Sequence, residues 1–267
     1  MRKSEINQLR DKFPQGTVIE TVTLNRFIEE ELKFLNPKSR SFAIFDLTSK
    51  NILYQLNATH YKVSSRKSFK TELPQLILPL LQELGLKYPN LEICAWESKC
   101  LNPFLEMQLL KNVVFVEVEK GFGSILIERL SQDEHLNVLL KPNHSQLESY
   151  MTIDSFVILK TLITKAPTNK KRFSQSVGYN QNYHGDKHSL STPKIEKIIV
   201  DLIVDPLMEI FDRAQRDLII KNILKEYAVN FKTLFSYARN RNKKEFMMDY
   251  FATILRFNIE TGEFYDL

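Results

Sequence analysis

The apolar positions of the first seventy residues fall into three helical stripes and then two β-rich runs. Ile6, Leu9 and Phe13 follow the i, i+3, i+7 spacing of one buried face and predict a helix over 5–13. Pro14-Gln15-Gly16 stops it, because proline disfavours helix before it and glycine supplies turn geometry. Thr23 is a candidate N-cap for a second helix to about Leu35, with Leu24, Phe27, Ile28, Leu32 and Leu35 on one side. Asn36-Pro37 breaks the chain again. Ser39 or Ser41 opens a third helix, in which Phe42, Phe45 and Leu47 are expected to pack inward, and Asn51 supplies its left-handed end. Ile52 to Leu56 and Tyr61 to Val63, on either side of the polar tip Asn57-Ala58-Thr59-His60, predict a hairpin.

Three short helices and a ribbon are the order of a winged helix, assigned here to residues 1–67. Residues 64–72 are polar and basic and form the expected boundary. Beyond it, residues 68–267 predict a second domain. A helix from Leu73 to Leu86 ends at Gly85, and strands follow at Leu91 to Trp96, Val113 to Val118 and Asn137 to Leu140. Helical stretches at Leu101 to Leu110 and Ser124 to Leu130 alternate with them. That alternation predicts a mixed α/β (α+β) class rather than a bundle. Met151 to Thr164 suits either a buried strand or a helix start.

Thr168 to Ser191 is rich in Asn, Gln, Ser, Lys and Gly with little aliphatic periodicity, and reads as a long flexible loop (168–191). Thr192-Pro193 then opens a helical C-terminal third, Thr192 as cap and Pro193 in the first turn. Ile195, Ile198, Ile199 and Leu202 give its first apolar face. Further helices are expected from Met208 to Glu226, Asn230 to Asn240 and Lys244 to Arg256.

Composition narrows the function classes. The chain has 267 residues, 43% hydrophobic and 26% charged, which suits a globular protein of two domains. Apolar runs are too short to cross a membrane, and the N-terminal residues lack the apolar core of a signal peptide, so a cytoplasmic location and no membrane partner are expected. Two cysteines, Cys94 and Cys100, are too few for a disulfide framework or a four-ligand zinc site. The formal net charge of +5 is unevenly spread: residues 1–70 hold 13 Lys+Arg against 7 Asp+Glu.

That excess makes DNA the natural partner of a winged helix, although the same module also serves for protein docking. Lys38, Ser39, Arg40 and Ser41 would stand at the major groove, where Arg40 is expected to read a base. Thr59 and His60 lie at the wing tip. Lys62, with Arg66 and Lys67, would follow the phosphate backbone. A second basic run, Arg239, Arg241, Lys243 and Lys244, is a candidate surface for nucleic acid or an acidic partner, or else a solvated helix end.

The catalytic signals are weak. Glu196, Asp201 and Asp205 lie on or near one helix, with Asp201 and Asp205 at i, i+4, but a salt bridge to Lys194 or Lys197 explains them better than a metal. Val116-Glu117-Val118-Glu119-Lys120 has a nuclease-like look, yet alternation on a half-exposed strand accounts for it. His184-Gly185-Asp186-Lys187-His188 lacks a fixed metal geometry. Gly121-Phe122-Gly123 is too short for a phosphate loop. No catalytic residue, metal ligand or cofactor is therefore assigned.

Several motifs occur in a familiar order. They are the N-terminal winged-helix pattern, Ile93-Cys94-Ala95-Trp96, Val113 to Lys120, Thr192-Pro193-Lys194-Ile195-Glu196-Lys197 through Leu202, Tyr227-Ala228-Val229-Asn230, and Tyr237-Ala238-Arg239-Asn240-Arg241. In this order they resemble the AbiEi-like antitoxins of bacterial abortive-infection toxin–antitoxin pairs, over nearly the whole chain. Two positions depart from that pattern: Asn51 stands where glycine is usual before the wing strand, and the wing tip has no glycine. The resemblance implies a repressor that binds the operator DNA of its own operon, with a nucleotidyltransferase-like toxin as partner, countered through the C-terminal domain. The alternative is a metal-dependent nucleic-acid-processing enzyme whose winged helix delivers substrate. It requires that Glu117, Glu196, Asp201 and Asp205 converge.

Overall fold

The computed structural model describes residues 1–50, 52–64, 67, 69–88, 90–107, 111–150, 152–170 and 190–265. Its class is mixed α/β, as the alternating pattern predicts. The chain divides into two units, one of Met1–Phe69 with Ile220–Leu267 and one of Lys70–Ile219. The sequence boundary near residue 67 recurs at Phe69, but the C-terminal residues join the N-terminal unit instead of the α/β domain to which residues 68–267 had been assigned.

The first unit opens with α1 (Lys3–Lys12), β1 (Val18–Glu20), α2 (Thr21–Glu30), α3 (Pro37–Ser49), β2 (Leu53–Gln55) and β3 (His60–Val63). β3 pairs antiparallel with both β1 and β2, giving the order β1-β3-β2. β1 was not expected; it lies between two helix signals and is only three residues long. α2 also begins and ends earlier than predicted, so Leu35 lies beyond it and is exposed. α3 starts at Pro37 because the Asn36 side chain accepts from the Lys38 backbone N–H at 2.8 Å. Asn51, its predicted terminator, lies outside the described residues.

The core of this unit contains Leu9, Ile19, Leu24, Ile28, Ala43, Leu47, Leu53 and Val63. Phe42 and Phe45 are not in it, contrary to expectation. Successive helical positions turn by about 100°. Leu47 therefore shares its face with Ala43, four residues back, and turns Phe42 and Phe45 to the outside.

In the second unit α4 (Leu78–Lys87) runs through Gly85 rather than ending there. It is followed by β4 (Ile93–Glu97), β5 (Asn112–Val118), α5 (Gly123–Leu130), β6 (Val138–Leu140), α6 (His144–Tyr150), β7 (Ser155–Thr161), β8 (Thr168–Lys170), β9 (Leu190–Pro193) and α7 (Ile195–Val204). Of the segment Leu101 to Leu110, expected as a helix, residues 101–104 belong to a 3-10 stretch, Ser98–Phe104, and residues 108–110 lie outside the described ones. The six strands form one sheet in the order β6-β7-β5-β4-β9-β8. β7 resolves the ambiguous stretch after Met151 as a strand, parallel to β5. The two ends of the expected 168–191 loop are strands, β8 pairing antiparallel with β9, while residues 171–189 lie outside the described ones. Thr192 and Pro193 belong to β9, so Lys194 is the N-cap of α7.

The sheet has two unlike faces. Ile93, Ala95, Val114, Val116, Val118, Val157, Leu159 and Leu190 share one apolar cluster with Leu81 and Leu84 of α4 and Leu126 and Leu130 of α5. Strand alternation sends Cys94, Trp96, Phe115, Glu117, Ile158, Lys160 and Ser191 to the other side.

α8 (Arg213–Glu226) follows a 3-10 turn at Pro206–Ile210, and the division between the units falls inside it. The first unit is completed by α9 (Phe231–Asn240), α10 (Lys244–Asp249), a π-helical turn at Tyr250–Ile254, and a hairpin of β10 (Phe257–Asn258) and β11 (Glu263–Phe264). The last predicted helix is helical from Lys244 to Ile254, changing from α to π after Asp249, and the hairpin after it was not anticipated. Gly262 lies in the hairpin turn at φ +71°, and a Cβ there would meet Leu56 at 3.0 Å and the Tyr54 hydroxyl at 3.2 Å. Gly262→Ala is therefore expected to destabilise this unit by about 1–3 kcal/mol. Gly16→Ala, also at positive φ but with open space around it, should cost less. Urea denaturation followed by circular dichroism would measure both, and an unshifted midpoint for Gly262→Ala would show that the hairpin's close approach contributes nothing.

Candidate functional site

α3 carries the predicted groove contacts, and they divide. Lys38 and Ser41 are exposed at its N-terminal end and Ser39 is half-buried. Arg40 is engaged within the protein: Nη1 lies 2.9 Å from Glu29 Oε2 and donates to the Leu35 carbonyl at 3.0 Å. Both contacts fall on the one nitrogen and draw the guanidinium toward Glu29 and the Leu35 carbonyl. On the outward side Phe42 and Phe45 are 64% and 65% exposed.

The tip between β2 and β3, the predicted wing tip, holds its shape without glycine. The Asn57 side-chain oxygen accepts from the Thr59 N–H (2.8 Å), the Thr59 hydroxyl (3.0 Å) and the His60 N–H (2.9 Å). Such an Asx turn replaces the backbone freedom that glycine would give. Thr59 is exposed there and His60 half-buried, with Thr59 Oγ1 2.9 Å from His60 Nδ1.

Lys62 departs most from its expected role. It is 5% exposed, and its ammonium donates to the Thr261 carbonyl at 2.9 Å and to Glu263 Oε1 at 2.8 Å. Its charge is thus taken up by the C-terminal hairpin and not offered to a phosphate. Lys67 is exposed, 4.0 Å from Glu226, and Arg66 lies outside the described residues. In the C-terminal basic run, Arg239 and Lys243 are exposed and Arg241 and Lys244 half-buried. The Arg241 guanidinium stands over the Tyr237 ring at 6.0 Å and the Lys243 ammonium over Phe246 at 5.8 Å.

The second unit contains a polar cluster that sequence reasoning only partly found. Across the sheet, Lys160, Glu117, Cys94 and Ser191 occupy neighbouring registers on β7, β5, β4 and β9. α7 lies on the same side. Its Lys197 is fully buried and donates to Glu117 Oε1 and Asp201 Oδ2, both at 2.5 Å. Lys160 donates to Asp205 Oδ2 at 2.6 Å and stands 3.8 Å from both Glu117 and Asp201.

Three of the four carboxylates named for the nuclease alternative therefore converge, but around two lysine ammonium groups. Among the described residues no group of three or more His, Cys, Asp and Glu side chains is arranged to hold a metal ion. Of the half-exposed strand expected at Val116 to Lys120, the part within β5 is buried, with Glu117 1% exposed, while Glu119 and Lys120 lie beyond the strand and are exposed. The Lys194 or Lys197 bridge anticipated for the α7 carboxylates forms with Lys197. The i, i+4 spacing of Lys197 and Asp201 was its readable signal, whereas the contribution of Lys160 left none. The His184–His188 tract lies outside the described residues.

The electrostatics are those of a closed network. Burial disfavours the Lys160 ammonium, but the Glu117, Asp201 and Asp205 carboxylates outweigh burial and the repulsion from Lys197, holding its pKa above the ordinary lysine value. Burial first, and the Glu117 charge second, push the Cys94 thiol up to about 12, which leaves it protonated and a poor nucleophile at neutral pH. Lys197→Met would take from Glu117 and Asp201 the ammonium they share at 2.5 Å and leave the Lys160 ammonium 3.8 Å from each. The expected loss is about 3–5 kcal/mol. Trp96, the only tryptophan, is stacked on Phe115 at 4.6 Å on the same sheet face and reports unfolding by fluorescence in urea. Wild-type stability in that variant would show that the cluster does not anchor α7.

No curated protein matches the chain. The profile of a family of unknown function, DUF6577, matches residues 40–256 and so covers most of both units. By that match the chain belongs to the DUF6577 family.

Proposed function

We propose that the chain is a DNA-binding regulator of the antitoxin type. Its N-terminal elements act as a winged helix on the operator DNA of its own operon. The remainder counters a nucleotidyltransferase-like toxin in the cytoplasm, with Arg239 to Lys244 as a candidate contact surface. One observation carries the reading: the order helix, strand, helix, helix, strand, strand with a β1-β3-β2 sheet, and α3 turned so that Lys38 and Ser41 face outward. A helix N-terminus with an exposed cation suits a phosphate. The ordered, glycine-free wing tip and the resemblance to AbiEi-like antitoxins support the same reading. No helix among the described residues is long and apolar enough to cross a membrane.

The nuclease-like alternative has less support. Glu117, Asp201 and Asp205 already surround the ammonium groups of Lys160 and Lys197 where a metal ion would have to sit. Protein docking is favoured by one observation, the exposure of Phe42 and Phe45, and is a distinct outcome of the same experiment.

Fluorescence anisotropy of the full chain tests the DNA half, with the duplex upstream of its gene, a scrambled duplex and two salt concentrations. Preference for the upstream duplex should survive the higher salt. Lys38→Ala should weaken binding to both duplexes and reduce the salt slope by about one. Arg40→Ala should leave affinity nearly unchanged, because Arg40 is held by Glu29 and Leu35. Equal, salt-sensitive binding to both duplexes would reduce the interaction to backbone charge, and no binding would make the module a protein-docking one. Growth rescue on co-expression with a nucleotidyltransferase-like toxin tests the other half.

A further inference from the structure

α3 presents four side chains as one outward stripe. Lys38, Ser41, Phe42 and Phe45 follow the i, i+3, i+4, i+7 spacing and all are exposed, while Ala43 and Leu47 hold the opposite side in the core. Two phenylalanines facing water on adjacent turns form apolar surface that a binding partner would cover.

The size and flanks of the stripe indicate which partner. A phenylalanine side chain buries on the order of 200 Å² when fully covered, so two rings about two-thirds exposed offer roughly 250 Å². A stable protein interface takes about 800 Å² from each partner and a single DNA-binding module about as much, so the stripe is one part of either contact, and its width and charge decide between them. The stripe is one helix wide and has a cation at its N-terminal end, in a segment with 13 Lys+Arg against 7 Asp+Glu. That shape and charge fit the major groove of duplex DNA, about 12 Å wide, with phosphates at its rims and base edges on its floor. The apolar groups on that floor are the C5 methyls of thymine. The guanidinium that would suit guanine, Arg40, is held by Glu29 and the Leu35 carbonyl.

Resting on the DNA-binding reading above, we infer that Phe42 and Phe45 contact thymine methyl groups in the major groove, so that the module takes thymine-containing, A·T-rich duplex. Lys38 anchors the adjacent phosphate. Discrimination at these positions comes from covering a methyl group and not from bidentate hydrogen bonding.

The test uses a duplex recovered by the full chain from a random 20-base-pair pool and resynthesised with deoxyuridine at every thymine, a change that removes only the methyl groups. Wild-type affinity should fall roughly fourfold for each methyl contacted. Phe42→Ala and Phe45→Ala, singly and together, should bind the thymine form more weakly and progressively lose the preference for it over the uracil form. Both side chains are exposed, so the variants should keep the wild-type circular dichroism spectrum and thermal midpoint. Equal wild-type affinity for the two forms, or an undiminished preference in the double variant, would overturn methyl reading and leave DNA binding standing. Recovery of no duplex from the pool would remove both readings and assign the stripe to a protein.

Discussion

An ammonium group with no exposure to water has to be held by carboxylates, and Lys197 imposes that condition on the second unit. Removing such a charge from solvent costs several kcal/mol, so it persists only where opposite charges and hydrogen bonds surround it. Glu117 and Asp201 meet the need from different elements, one from the sheet and one from a single turn farther along α7. The pairing fixes which side of α7 faces the strands. Register follows as well: a one-residue slip of β5 would turn Glu117 into the apolar cluster, turn Val116 and Val118 out of it, and take the Glu117 carboxylate away from Lys197. Lys160, directly across from Glu117 on β7, ties the third carboxylate, Asp205, to the same point. The oily face of the sheet supplies the burial, and the polar face supplies the specificity of alignment.

The first unit uses a smaller form of the same device. Lys62 is buried on the wing ribbon and neutralised by the hairpin that includes Gly262, so the side chains of Tyr54, Leu56 and Lys62 are covered by residues near the C-terminus. The β1-β3-β2 sheet therefore has protein on both faces, with the three helices on one side and α9 and the hairpin on the other. The tip between β2 and β3 and the outward stripe of α3 remain exposed, while the ribbon itself is held as part of the core.

Local periodicity made much of the fold legible. The stripes of α1 and α2, the strand runs at β4 and β5, and the apolar face of α7 all follow from spacing that burial enforces along one element. The misread features depend on distant residues. Lys62 meets Glu263 201 positions later, and Lys197 meets Glu117 80 positions earlier. A lysine on a ribbon and a glutamate in an alternating run therefore look like solvated charges when only their neighbours in sequence are visible. Phe42 and Phe45 failed for another reason. Hydrophobicity alone placed them inside, whereas the geometry of α3 offers the core a single stripe, and the smaller Ala43 shares it with Leu47. The polar tip at residues 57–60 was legible as a turn, but not the way it is ordered, in which the side chain of Asn57 supplies the acceptor.

These two kinds of polar placement bear on what the molecule does. Turnover needs a group that substrate can reach and whose charge can change during the reaction. In the second unit the lysines and carboxylates that converge are buried and spent on one another, and the Cys94 thiol is held protonated by burial and by the Glu117 charge. Opening that network to a substrate would remove the contacts that hold α7 on the sheet. In the first unit aliphatic and aromatic side chains together fill the core, Phe27, Phe231, Phe251 and Phe257 among them, while two further rings and a cation stand on the outer face of α3. An aromatic pair about two-thirds exposed contributes little packing to the unit. That asymmetry supports recognition at α3 as the basis of function, with the charged cluster serving to keep the second unit in one conformation.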